Sequence, residues 1–150
     1  MESHQIPVRR VFVDSSVLIA AALSSTGSAH DLMQIGADRR AVLVISSFVK
    51  DEVERNVARK GQDRLPQLRH VFDACPFEMC EPSPALVASE ATLVEPKDAE
   101  IVAAAVTGDV DFLVTYDAKH LLAQAVDIEA RHGFVVCTPA VALTFIRTAS

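Results

Sequence analysis

No uninterrupted apolar stretch in this 150-residue chain approaches the roughly 20 residues that a bilayer-spanning helix needs, so a soluble protein without a membrane partner is expected. The first six residues, Met1 to Ile6, include an acid and lack an apolar core. No secretory signal is visible there, and cytoplasmic residence is the default expectation. Cysteine is scarce too: Cys75, Cys80 and Cys137 are odd in number and form no C-x-x-C pair. That excludes a disulfide framework and a thiolate zinc site, leaving reduced packing residues. No G-x-G-x-x-G or Walker-type loop follows any candidate strand, which removes a nucleotide-binding sheet protein. Internal repeats and low-complexity segments are also missing, so neither a solenoid nor a disordered tail is expected. Nor is there an excess of positive charge, since the formal net charge is -6. Backbone binding to nucleic acid draws on Lys and Arg, so this sign weighs against such a partner unless several acids serve as metal ligands. Arg55, Arg59, Lys60 and Arg64 do cluster behind Glu52, as a local basic patch or simply a solvated helix face.

What is present is a half-apolar chain of single-domain length, 1–150, punctuated by acids at the ends of candidate elements. Val8 to Val13 reads as a strand ending at Asp14, with a tight turn at Asp14-Ser15-Ser16 and a helix from Val17 to Leu23. The break Ser24 to Ser28 precedes a second short helix over Ala29 to Ala37. Ala41 to Ile45 is a continuous apolar run, the pattern of a parallel strand covered on both faces. Ser46 or Ser47 can cap the helix that follows, whose buried stripe is Val49, Val53 and Val57, with Glu52 one position off it. Further helices are expected over Asp63 to Cys75, interrupted early at Pro66, and near Ala85 to Ser89, with a short strand at Phe77 to Glu81 between them.

From Lys97 the pattern sharpens. Ile101, Val102, Ala105 and Val106 follow Asp98 at +3, +4, +7 and +8, so Asp98 begins the inward face of a helix that Gly108 ends. A carboxylate in a first helical turn also suits the helix dipole, so plain capping is an alternative role for it. Asp111 to Thr115 reads as a strand closed by Tyr116 and Asp117, Ala118 to Ala125 as a helix, Phe134 to Cys137 as a strand and Pro139 to Arg147 as a last helix. Strands alternating with helices predict a three-layer α/β/α sandwich with a mostly parallel central sheet. Sites in such sheets form outside the carboxyl ends of the strands, where Asp14 and Asp117 fall. Carboxylates gathered there repel one another unless a cation intervenes, which makes a divalent metal site the leading hypothesis. Surface acids and helix caps are the bland alternative.

Four words carry the acids: Val11-Phe12-Val13-Asp14-Ser15-Ser16-Val17-Leu18, Ile45-Ser46-Ser47-Phe48-Val49-Lys50-Asp51-Glu52-Val53, Lys97-Asp98-Ala99-Glu100-Ile101-Val102-Ala103-Ala104-Ala105 and Asp111-Phe112-Leu113-Val114-Thr115-Tyr116-Asp117. Their order, spacing and apolar flanks resemble the PIN-domain family over positions 11 to 122. The resemblance implies a ribonuclease that depends on one or two Mg2+ or Mn2+ ions, in bacteria most often the toxin of a type II toxin-antitoxin pair. It also implies a homodimer, an RNA substrate and a small antitoxin partner. By position, Asp14, Glu52, Asp98 and Asp117 match the acidic quartet, with Asp14 and Asp98 the direct ligands and Glu52 and Asp117 completing the cation environment. Thr115 matches the hydroxyl residue two before the last acid, which holds that acid or a metal-bound water. Asp111 falls on the structural side.

Two positions depart from the family pattern. Ser16 stands where Asn is frequent and loses the amide's reach, and His120 stands where an acid or polar residue is commoner. His120 is expected on a helix surface. Two other classes compete: a PIN-fold RNA-binding or interaction module without chemistry, and phosphoryl transfer through Asp14 as nucleophile. The latter lacks its usual D-x-D pattern, because Ser16 replaces the second acid.

Overall fold

The computed structural model describes residues 8–148, so the expectation drawn from Met1 to Ile6 lies outside the described residues. Five strands form one sheet: β1 (Arg9–Val13), β2 (Ala41–Ile45), β3 (Glu78–Met79), β4 (Phe112–Val114) and β5 (Val135–Cys137). Their order is β3-β2-β1-β4-β5, and every pairing is parallel. Successive strand side chains point to opposite faces, so a strand buried at every position must be covered on both sides. Val11, Phe12 and Val13 are all fully buried, as are Leu113 and Val114, and Leu43, Val44 and Ile45 are nearly so.

The cover comes from α1 (Ser15–Leu23), α2 (Ser28–Ala37), α3 (Ser47–Lys60), α4 (Leu65–Ala74), α5 (Pro84–Glu90), α6 (Pro96–Thr107), α7 (Ala125–His132) and α8 (Pro139–Thr148). The result is the α/β sandwich with a parallel central sheet that the alternating pattern predicts. Gly36 shows how closely α2 lies on β2: a Cβ there would stand 2.4 Å from Leu43 Cδ1, so any larger residue would push the helix away. None of the described helices is long and apolar enough to cross a membrane.

One expected helix is misplaced. Residues 118–124 form consecutive turns, and the helix begins only at Ala125 and runs to His132. The apolar pair Leu121-Leu122 suggested an amphipathic helix, yet a buried Leu121 needs only a turn to reach the core. Helix α7 then ends at Gly133, whose φ of 87° in the left-handed region lets the chain reverse into β5. Smaller shifts occur at β3, which pairs over two residues, and at Pro66, which sits in the first turn of α4 after a 3-10 turn at Gln62–Arg64 instead of interrupting a helix. Val8 is exposed and precedes the first strand.

With all five strands parallel, their C-terminal ends share one edge. The chain steps from β1 outward to β2 and β3 on one side, and then to β4 and β5 on the other. The crevice between β1 and β4 is therefore the topological switch point, where ligands bind in open sheets of this kind. Asp14 directly follows β1, and Thr115, Tyr116 and Asp117 directly follow β4.

Candidate active site

Asp14 is bound into the sheet by its amide, which donates to Val114 O at 3.0 Å. Its carbonyl starts α1 by accepting from Val17 and Leu18, while its side chain turns inward without capping that helix. Two hydroxyls hold the Oδ2 atom: Thr115 Oγ1 donates at 2.7 Å and Ser16 Oγ at 3.0 Å. Burial pushes the Asp14 carboxyl up from its ordinary value, and these two hydroxyls with the Ser15 amide pull it back. The nearby charge of Glu52 adds to the upward push.

Thr115 is the joint of the site. Fully buried, it donates to Asp14 and accepts the Asp117 amide at 3.0 Å, so one hydroxyl sets the spacing between the first and last acids. Ser16 reinforces the joint from α1, since its hydroxyl also accepts the Tyr116 amide at 3.0 Å. The short side chain at position 16 thus makes its own links to both strands' ends.

Glu52 reaches the group from α3, which starts where Ser46 Oγ accepts the Val49 amide. Ser46 is therefore the cap, and Ser47 instead bonds Glu81 through its amide and hydroxyl. Although one step off the stripe of Val49, Val53 and Val57, Glu52 is buried with them. Both its oxygens are engaged: Ser15 Oγ donates to Oε1 at 2.5 Å, and Lys97 Nζ stands 3.0 Å from Oε2. Glu52, by hydrogen bond and by charge, holds the Lys97 ammonium above its ordinary value, with Asp14 and Asp98 contributing.

Asp98 lies in the first turn of α6 behind Pro96 and is buried. Among the described residues no hydrogen bond to its carboxylate is found, so the capping role open to it is not the one it takes. Burial raises its pKa, His120 lowers it again, and the charges of Asp117, Glu95 and Asp14 raise it further. Asp117 is held by the turn that replaced the expected helix. Its Oδ1 accepts the His120 amide at 3.1 Å, and its Oδ2 lies 3.2 Å from His120 Nδ1. His120 Nε2 is 3.9 Å from Glu95 Oε2.

The four acids therefore approach one crevice from β1, α3, α6 and the β4 end, and each is electrostatically felt by at least one other or by a shared cation. Asp111 is elsewhere, at the opposite end of β4, where its Oδ2 accepts the Arg10 amide at 2.8 Å. Two residues that the sequence reading passed over join the group, Lys97 and His120. The signal for Lys97 was its adjacency to Asp98 in a first helical turn; for His120 it was its position three after Asp117, the reach of an Asx-type turn.

Carboxylate oxygens are hard donors of the kind Mg2+ and Mn2+ take, and an acidic crevice whose charges raise one another's pKa values suits a divalent cation. Asp14 through its second oxygen and Asp98 through both could hold one. Among the described residues, however, no group of three His, Cys, Asp or Glu side chains already stands in an arrangement that would hold a metal ion. Lys97 is the cation that faces Glu52 here.

The PIN domain family model matches residues 10–119, from β1 to the turn after Asp117, and so includes all four acids. The chain belongs to the PIN domain family. Among solved structures, this PIN chain is similar to PAE2754 from Pyrobaculum aerophilum, with 22% identity, a TM-score of 0.62 and coverage of 95% of this chain and 99% of that one. It is also similar to VapBC2 from Rickettsia felis, a structure bound to a DNA fragment from their promoter, at 15% identity and a TM-score of 0.61, covering 85% and 96% of the two chains. A third is VapC20 of Mycobacterium tuberculosis, described as a Sarcin-Ricin loop cleaving toxin, at 17% identity and a TM-score of 0.56, covering 83% and 96%. At these identities the likeness is one of fold. No curated protein matches the sequence.

Proposed function

We propose that this PIN protein, 1–150 as a single domain, is a divalent-metal-dependent endoribonuclease and the toxin of a type II toxin-antitoxin pair. The observation that carries the reading is the approach of Asp14, Glu52, Asp98 and Asp117 to the switch point around the buried hydroxyl of Thr115. A family whose model spans those four acids makes hydrolysis of an RNA phosphodiester the function that best uses them. The names VapBC2 and VapC20, and the RNA cleavage ascribed to the second, extend the reading to a cytoplasmic toxin with a small antitoxin partner. A homodimer is proposed on the family resemblance alone.

One or two Mg2+ or Mn2+ ions, when bound, would neutralise transition-state charge and activate water. The chain's own part is positional. Asp14 and Asp98 present oxygens to the crevice, and Thr115 and Ser16 fix Asp14 so that only one of its oxygens faces outward. Glu52 and Asp117 complete the negative field that attracts the cation and orients water. His120, bonded to Asp117, and Lys97, bonded to Glu52, supply positive charge where an RNA phosphate would otherwise meet only carboxylates.

Incubation of the purified protein with single-stranded and structured RNA tests this. Cleavage is expected with Mg2+ or Mn2+, to be abolished by EDTA, and to fall by orders of magnitude in Asp14→Asn and Asp98→Asn. Undiminished, EDTA-resistant cleavage by those variants would sink the proposal. One observation favours the second reading, a non-catalytic RNA-binding or interaction module: Lys97 neutralises Glu52, and no three ligands stand ready. Calorimetry with Mn2+ separates the two, because a module without a site shows no saturable binding.

A further inference from the structure

Tyr116 is the chain's single tyrosine, and the chain has no tryptophan. It stands between Thr115 and Asp117 with 40% of its surface exposed. Of the large apolar side chains left exposed among the described residues, Tyr116 alone adjoins a member of the acidic group in the chain. Phe145, the other exposed aromatic, is turned against Phe112, their ring centroids 5.5 Å apart.

The residue is held at both ends. Its amide donates to Ser16 Oγ at 3.0 Å, and its hydroxyl pairs with Ser28 Oγ at 3.3 Å. Two tethers fix the ring's position while leaving its surface open to water, an arrangement that core packing does not explain. Beyond it, Lys119 and His120 are exposed on the following turn, and Lys97 stands across the crevice. The local pattern is one open aromatic ring beside cations at the rim of an acidic crevice.

We propose that Tyr116 is the stacking platform for an unpaired nucleobase next to the scissile phosphate, making single-stranded RNA, or an unstacked loop, the substrate class. This inference rests on the ribonuclease reading above. A carboxylate-lined crevice repels a phosphate backbone, so part of the attraction must be indifferent to charge, and stacking is, because every base has a π face. Paired bases already spend both faces on their neighbours, and a duplex can reach the ring only by unstacking. The sequence tolerance of stacking also means that Tyr116 selects for unpaired nucleotides and not for a particular base.

The lone tyrosine is its own reporter, since the intrinsic fluorescence of the chain comes from Tyr116. Titration of the full chain with unlabelled oligouridylate, in Ca2+ to slow cleavage, would be followed by tyrosine emission and in parallel by calorimetry. Saturable quenching at the calorimetric stoichiometry is expected, with none from the oligouridylate-oligoadenylate duplex. Tyr116→Ala should weaken single-strand binding by roughly fivefold or more, the lower end of what a stacked base contributes. Tyr116→Phe, which loses the Ser28 tether and keeps the ring, should stay within about twofold of the parent. If Tyr116→Ala melts early, Tyr116→Leu replaces it, keeping apolar bulk without an aromatic face. RNA that binds without quenching, or with equal affinity to the alanine or leucine variant, overturns the stacking role and leaves the nuclease reading standing. A parent chain that neither binds nor cleaves RNA overturns both.

Discussion

Thr115 Oγ1 and Asp14 Oδ2 lie 2.7 Å apart across 101 positions of sequence, and this contact ties the end of β4 to the end of β1. Because the same hydroxyl also accepts the Asp117 amide, the threonine aligns two acids with one atom. Thr115→Val keeps the shape and removes both bonds, leaving a buried carboxylate oxygen and a backbone donor short of partners. Denaturant unfolding should show a loss of about 1–3 kcal/mol. Thr115→Ser should recover most of it. Equal stability of the valine and parent proteins would show that the hydroxyl plays no part in holding the site.

Asp98 gives the metal-free protein a pH signature. Its pKa is raised above the ordinary 3.8, chiefly by burial, so the folded chain holds a proton that the unfolded chain has already lost. Stability then falls as pH rises through that window, and the full penalty applies above the raised value. Asp98→Asn should melt higher than the parent at neutral pH in EDTA. The difference should shrink toward nothing as pH approaches the ordinary carboxylate value. A difference independent of pH would contradict the assignment.

Lys97 and Glu52 form an ion pair in which the lysine side chain is 68% exposed and the glutamate 12%. Solvent screening at the exposed end keeps the expected coupling small, about 0.2–1 kcal/mol in a double-mutant cycle of Lys97→Gln and Glu52→Gln. Saturating Mn2+ should reduce that coupling, because a divalent cation near Glu52 would compete with the ammonium for the same oxygen. Coupling that is unchanged by Mn2+ would show that the metal does not approach Glu52.

Away from the acidic crevice, Glu90 is nearly inaccessible and is held by His132 Nε2 at 2.7 Å and Arg131 Nη1 at 3.7 Å, joining α5 to α7. His132→Ala removes the closer partner and strands a buried carboxylate, at a cost on the order of 3 kcal/mol. Glu90→Gln, which keeps the shape and one acceptor, should cost less. Thermal melts of the two variants check the order, and the reverse order would show that the carboxylate's charge is the larger burden.

The apolar words of β1, β2 and β4 can be read as buried parallel strands because burial on both faces demands an apolar residue at every position, a local requirement. Asp14 and Asp117 could be placed at strand ends for the same reason, and Asp98 at the start of an inward helix face by its spacing to Ile101 and Val102. The turn at 118–124 could not be separated from a helix, since Leu121 and Leu122 satisfy both patterns. His120 was misjudged with it: its bond to Asp117 depends on the turn's backbone path, which no periodicity encodes.

Local patterning by itself thus determined the parallel sheet, the acidic quartet and their common edge, because element type and strand direction follow from periodicity and connection length. Only the tertiary structure decided that Thr115 bonds Asp14 from the far side of the chain, that Lys97 faces Glu52, and that Tyr116 is pinned with its ring open. Those relations depend on distances between side chains from different elements. Such distances are set by how the helices and strands pack, and no spacing along the chain records them.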